Sequence, residues 1–193
     1  MEIIAKMMAD FLVSKNCIKE EERAICQYGY EVLISTIVGY TIVLLLSVLS
    51  GSLKEGIVFL VVFVITRMYT GGYHAQTYLA CNLCLAMTFL IYESVVYILK
   101  ESGGSTIFLF LMLTVYCVCT IWFAPIENPN KILTVQKKKK CRKISQALMA
   151  FWSVSGIMLV LKHSEIGIMI IVTLFMVAIL MIKEIYGREA VSK

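Results

Sequence analysis

Along this chain, long apolar runs alternate with short polar segments, and the lengths of the runs set the elements they predict. A helix needs roughly 20 predominantly apolar residues to cross a bilayer, with about 17 to 25 tolerated. VLISTIVGYTIVLLLSVLS, Val32 to Ser50, meets that requirement. GIVFLVVFVITRMY, from Gly56, is short and meets a charge at Arg67, so it reads as a tilted or re-entrant crossing. A third run covers 78–99, a fourth Ile107 to Pro125, a fifth 147–161 and a sixth Ile166 to Ile182. The pattern predicts an all-α membrane protein, a bundle of about six transmembrane helices over 30–193. Ahead of it, within 1–29, Ile3, Ile4, Met7, Met8, Phe11 and Leu12 recur at helical spacing among Lys6, Asp10 and Lys15. That spacing predicts an amphipathic helix lying on the membrane surface or on its own protein. The segment lacks the charge order and cleavage site of a secretory signal.

Composition agrees with this reading. Of 193 residues, 60% are hydrophobic and 16% charged, and the mean hydropathy is +0.84. A water-soluble domain is closer to half apolar and a quarter charged. Only two prolines interrupt the chain, both in APIENPNK, Ala124 to Lys131. No internal repeat of the kind that builds inverted-repeat transporters is visible.

Charge orients the bundle. With six crossings and a cytoplasmic N-terminus, fifteen of the eighteen Lys and Arg residues fall on the inner side. Only Lys54, Lys100 and Lys162 fall outside, so the positive-inside rule puts both termini in the cytoplasm. A basic cytoplasmic loop is expected over 126–146, carrying KKKKCRK, Lys137 to Lys143. Such a cluster anchors topology on anionic lipid, at about 1 kcal/mol per charge near the surface. It also suits docking of an acidic peptide.

One stretch does not belong in lipid: RMYTGGYHAQTYLACNLCLA, Arg67 to Ala86. Thr70, Gly71 and Gly72 should end the second helix, since each glycine costs about 1 kcal/mol in a helix interior. A new helix is expected from near Tyr73, carrying Cys81. His74 and Cys81 are then two turns apart, about 10 Å along the axis, too far for contact unless the glycines fold His74 back. A Cys–His pair within reach would supply a nucleophile and its base. Arg67 then stabilises a thiolate or holds a carboxylate, or simply snorkels to the interface. Other uses stay open on residue types. A metal site needs three or four ligands, and only His74, Cys81 and Cys84 are at hand, because His163 falls in an outer loop. Cys81-x-x-Cys84 has the form of a thiol redox pair, and a histidine near a helix start can be a cap. A small transporter or channel with a re-entrant packing feature is the non-enzymatic alternative. The seven cysteines show no disulfide framework; most read as small hydrophobes. Glu93, deep in the third run, carries an insertion cost of about 2.5–3.5 kcal/mol. It should face the bundle interior, for helix pairing or substrate contact.

The pattern Arg67, then Gly71-Gly72-x-His74-Ala75, then Cys81 seven residues after the histidine resembles the AgrB family, the accessory gene regulator membrane endopeptidases of Gram-positive quorum sensing. Chain length, six-run hydropathy, the amphipathic N-terminus and the lysine-rich segment after the fourth run fit it too. The resemblance implies a cysteine peptidase of the bacterial cell membrane, with its site on the cytoplasmic side. The substrate it implies is an AgrD-like propeptide, cut near its C-terminal part and closed to a thiolactone or lactone. It implies Cys81 as nucleophile, rather than Cys84, and His74 as general base. Lys137, Lys138, Lys139 and Lys140 would attract the propeptide's acidic tail. No cofactor and no nucleic-acid partner are expected, and a homodimer is compatible with a small bundle.

Overall fold

The computed structural model describes residues 2–72, 77–103, 105–126 and 134–191. Among the described residues the chain forms seven α-helices and no strand: α1 (Glu2–Ser14), α2 (Arg23–Leu49), α3 (Leu53–Thr70), α4 (Tyr78–Glu101), α5 (Thr106–Phe123), α6 (Val135–Leu161) and α7 (Glu165–Val191). A single 3-10 turn, Glu20–Glu22, leads into α2. The breaks fall where side chains tolerate left-handed backbone: Gly51, Gly103 and His163 have φ of 70°, 71° and 56°.

Each apolar run lies in a helix, but the helices overrun the runs. α2 starts ahead of Val32, and α6 starts at Val135 rather than near Ala147. The expected loop over 126–146 is therefore corrected: from Val135 onward, including Lys137 to Lys143, it is the exposed first part of α6. Lys, Gln and Arg are good helix formers, and neither Gly nor Pro occurs between Val135 and Ser155. Extending an existing helix costs far less than nucleating a new one, so the membrane helix continues into the polar segment.

Five helical segments are long and apolar enough to cross a membrane: Glu20–Leu49, Tyr78–Glu101, Thr106–Phe123, Val135–Leu161 and Glu165–Gly187. α3 falls short of that standard on composition, because its 18 residues include Lys54, Glu55 and Arg67. It is about 27 Å long at 1.5 Å per residue, and its charges lie toward its two ends. By length and composition five helices meet that standard, while α3 runs between the same two ends of the bundle, consistent with the expected bundle of about six.

α7 is the centre of the bundle. Met169, Val172, Leu174, Ala178 and Met181 are fully buried, and the helix packs against α3, α4, α5 and α6. A helix apolar on all sides is suited to that position. Lipid tails supply no hydrophobic drive between helices, so close packing of small residues carries the association. A β-carbon on Gly167 would lie 2.6 Å from the Val160 amide nitrogen, and one on Gly56 would lie 2.5 Å from the Ser47 side chain. These two glycines let α7 approach α6 and α3 approach α2. Between α3 and α4, the rings of Phe59, Phe63, Phe89 and Tyr92 interlock, with Phe59 and Tyr92 centroids 4.8 Å apart.

The two ends of the bundle differ. At one end Lys100 ties three helices, 2.6 Å from Glu55 Oε1 and 3.0 Å from Glu165 Oε2. At the other, the backbone N–H of Ile126 donates to the carbonyl of Thr70 at 2.9 Å, and Arg142 donates to the carbonyl of Ile121. The helix order carries Arg67, Cys81, Lys137 to Lys143 and Lys183 to this second end. Lys54, Lys100 and Lys162 lie at the first. α1 packs on α2 through Ala5 and Ala9, both fully buried, with Asp10 paired to Arg23 at 2.5 Å. Contact with its own protein uses the small residues. The large ones, Ile3, Ile4, Met7, Met8 and Phe11, remain exposed, as an interfacial helix requires.

Candidate functional site

The site is built where α3 ends and α4 begins. α3 stops at Thr70, as the Thr-Gly-Gly sequence predicts. Gly71 caps it with φ 73° and ψ −156°, a backbone region essentially confined to glycine. A β-carbon there would lie 2.2 Å from the carbonyl oxygen of Ile126. Gly71 thus serves two needs at once, an otherwise forbidden turn and close approach to the segment leaving α5. Gly72 also has positive φ, 135°, but open space where a β-carbon would be.

α4 starts at Tyr78, where the third apolar run was expected to begin. Thr77 caps it: its backbone is extended and its side-chain oxygen accepts from the Ala80 amide at 3.2 Å. The Cys81 amide makes the first helical bond, to the Thr77 carbonyl at 3.0 Å. Cys81 therefore lies in the first turn, where the partial positive charge of a helix N-terminus favours an anion. His74 lies outside the described residues.

Arg67 lies in the last turn of α3. Its guanidinium interacts electrostatically with Cys81 and Cys84 of α4, Tyr40 of α2 and Glu184 of α7. It also lies over the Phe63 ring, 5.3 Å from the centroid. Four helices thus contribute to one charged centre.

Cys81 and Cys84 are both half-buried free thiols. Cys84 packs against the hydrophobic core, whereas Cys81 does not. Among the described residues no group of three or more His, Cys, Asp and Glu side chains is placed to hold a metal. Lys137 to Lys140 are exposed on α6, at the same end of the bundle. Glu93 is elsewhere: it lies twelve residues after Cys81 on α4, about 18 Å along the axis, and accepts a hydrogen bond from Ser52. Its observed role is helix pairing.

Sequence reasoning passed over several residues. Tyr78 donates to Glu31 Oε2 of α2 at 3.0 Å, and Gln27 donates to the same carboxylate at 3.0 Å. Asn82 is buried beside Gly39. The one available signal was polarity in an apolar context, and it does not reveal which partner each residue meets.

The fold defines an all-helical integral membrane protein, with an arginine and a thiol together at one end. Residues 5–182 match the family described as Accessory gene regulator B, and the chain belongs to that family. It is 30% identical over 148 residues to a putative AgrB-like protein 2 of Clostridium perfringens, covering 74% of this chain and 68% of that one. A putative AgrB-like protein from another strain of that species is 25% identical, over 86% of this chain and 80% of its own. Protein FsrB of Enterococcus faecalis is 33% identical over 101 residues, 51% of this chain and 40% of its own. No solved structure matches. Family membership gives the chain a role in quorum-sensing peptide processing, with a propeptide as substrate.

Proposed function

We propose that the protein is a membrane cysteine endopeptidase and peptide cyclase, with Cys81 as its nucleophile. The observation that carries the reading is the seating of Cys81 in the first turn of α4, clear of the core cluster, at the end of the bundle where α3 places Arg67. The thiolate is the reactive form of cysteine.

Cys81 Sγ attacks a peptide carbonyl of the AgrD-like propeptide. The amide C–N bond breaks, and His74, in the role the resemblance gives it, protonates the departing amine. Proton transfer by a positioned side chain contributes about 10²–10⁴ in rate. The acidic C-terminal fragment leaves, and the rest of the peptide stays on Cys81 as a thioester. A thiol within that peptide then attacks the same carbonyl, His74, now neutral, takes its proton, and Cys81 leaves as thiolate, closing a thiolactone; a serine hydroxyl would give a lactone. Thioester exchange is close to isoenergetic, so the reaction needs no nucleotide. Hydrolysis would be downhill, which makes exclusion of water part of the mechanism. In this reading the Arg67 end of the bundle faces the cytoplasm, and Lys137 to Lys140 draw in the acidic tail by long-range attraction.

The test is co-expression with candidate AgrD-like propeptides, followed by mass spectrometry of the peptides. Cys81→Ala and His74→Ala should each abolish cleavage while the protein still inserts. Normal processing by Cys81→Ala would sink the proposal.

A further inference from the structure

The nucleophile's turn is held mainly by α2, a helix that carries none of the motif residues. Two contacts flank Cys81 in sequence, one on each side. Before it, the Tyr78 hydroxyl donates to Glu31 Oε2 at 3.0 Å, and Gln27 holds the other carboxylate oxygen at 3.0 Å. After it, the Asn82 side chain is 6% exposed and is pressed onto Gly39. A β-carbon on Gly39 would fall 2.9 Å from Asn82 Oδ1 and 3.2 Å from Leu85 Cδ2. These are not general features of the α2–α4 seam. They fall on the first turn of α4 and the residues just after it, where a helix otherwise frays.

We infer that Glu31 and Gly39 of α2 are positioning residues, which clamp Tyr78 and Asn82 and thereby fix the direction of the Cys81 thiol toward Arg67. The inference rests on the proposed function, because it assigns a purpose to the orientation of Cys81. Its physical basis is that Tyr78, Cys81 and Asn82 share one short rigid segment. Two restraints on α2, about two turns apart, leave that segment little freedom to rotate or lift. Displacing a reacting group by about 1 Å costs on the order of a hundredfold in rate.

The experiment uses the full-length protein in detergent or proteoliposomes. It reads iodoacetamide labelling of Cys81 by mass spectrometry, with exposed Cys17 as internal reference, alongside kcat and KM for the propeptide that the wild-type protein cuts. Gly39→Ala and Tyr78→Phe should each lower kcat about tenfold or more, while KM stays within about twofold. Both should change the Cys81 labelling rate relative to Cys17. Glu31→Gln keeps an oxygen to accept from Tyr78 and should retain most activity, whereas Glu31→Ala should not. Asn82→Ala makes room for a methyl at position 39, so Gly39→Ala should cost little further activity in that background. Wild-type kcat and labelling in Gly39→Ala and Tyr78→Phe, with Cys81→Ala inactive, would overturn the positioning role and leave the proposed function standing. Loss in Glu31→Gln equal to that in Glu31→Ala, or full additivity of Gly39→Ala with Asn82→Ala, would also overturn it. Processing by Cys81→Ala would instead remove the function on which the inference rests.

Discussion

Replacing Gly71 with alanine should disrupt the site more than its size suggests. Two costs add. A side chain at φ 73°, ψ −156° occupies a glycine-only region, at about 1–3 kcal/mol. The new methyl would also meet the Ile126 carbonyl oxygen at 2.2 Å. That atom is backbone and cannot rotate away, so the segment after α5 must retreat. The bond from the Ile126 amide to the Thr70 carbonyl, 2.9 Å long, is the contact it would lose, at about 0.5–1.5 kcal/mol. The expected loss is about 2–4 kcal/mol, concentrated at the α3 end rather than spread through the bundle. The assay is thermal unfolding of the purified protein in detergent, together with propeptide cleavage. Gly72→Ala is the internal comparison, since it carries backbone strain but meets nothing within 4 Å. Gly71→Ala should be the worse in both measurements. Equal melting temperatures for the two variants, or wild-type cleavage by Gly71→Ala, would refute the claim that close approach to Ile126 matters.

Three further outcomes follow from other parts of the molecule. Cys84→Ser should retain most cleavage, because Cys84 packs in the core and has no step in the mechanism; a dead enzyme would favour a thiol redox pair, tested by following product mass. Lys100→Met leaves Glu55 and Glu165 without their shared cation, and unfolding in detergent should show a loss of about 1–3 kcal/mol, between the cost of breaking an exposed pair and a buried one. Changing Lys137, Lys138, Lys139 and Lys140 to glutamine should raise KM for an acidic-tailed propeptide with kcat little changed. That difference should shrink in kinetic assays as salt shortens the Debye length to about 3 Å near 1 M.

The helices were legible where lipid dictates them. Val32 to Ser50 and Ile166 to Ile182 are apolar because a bilayer core permits little else; the second lies within α7 and the first within α2 up to its C-cap, Ser50. Helix ends were less legible, since Lys137 to Arg142 can follow water or continue a helix, and propagation from Ala147 decides between them. Arg67, Gly71, Gly72 and Cys81 stood out as residues that lipid does not call for, and the break at Thr70 followed from local backbone preference alone. The partners of these residues were beyond reach. Ile126 meets Gly71 across 55 positions, and Glu31 meets Tyr78 across 47. Such pairings depend on how whole helices seat against one another, and no local pattern encodes that. Glu93 illustrates the same limit: its burial and pairing were predictable, but its partner Ser52, at the end of the bundle away from Cys81, was not.

The most direct test of the proposed chemistry is to trap the acyl-enzyme. A propeptide whose ring-closing thiol is replaced by alanine should be cut but cannot leave by cyclisation. Digestion and mass spectrometry of the protein should then show the Cys81-bearing peptide heavier by the N-terminal part of the propeptide, with hydroxylamine removing the added mass as expected for a thioester. The adduct should be absent from Cys81→Ala. Cleavage of that propeptide without any adduct on Cys81, or an adduct formed on another residue, would contradict the account.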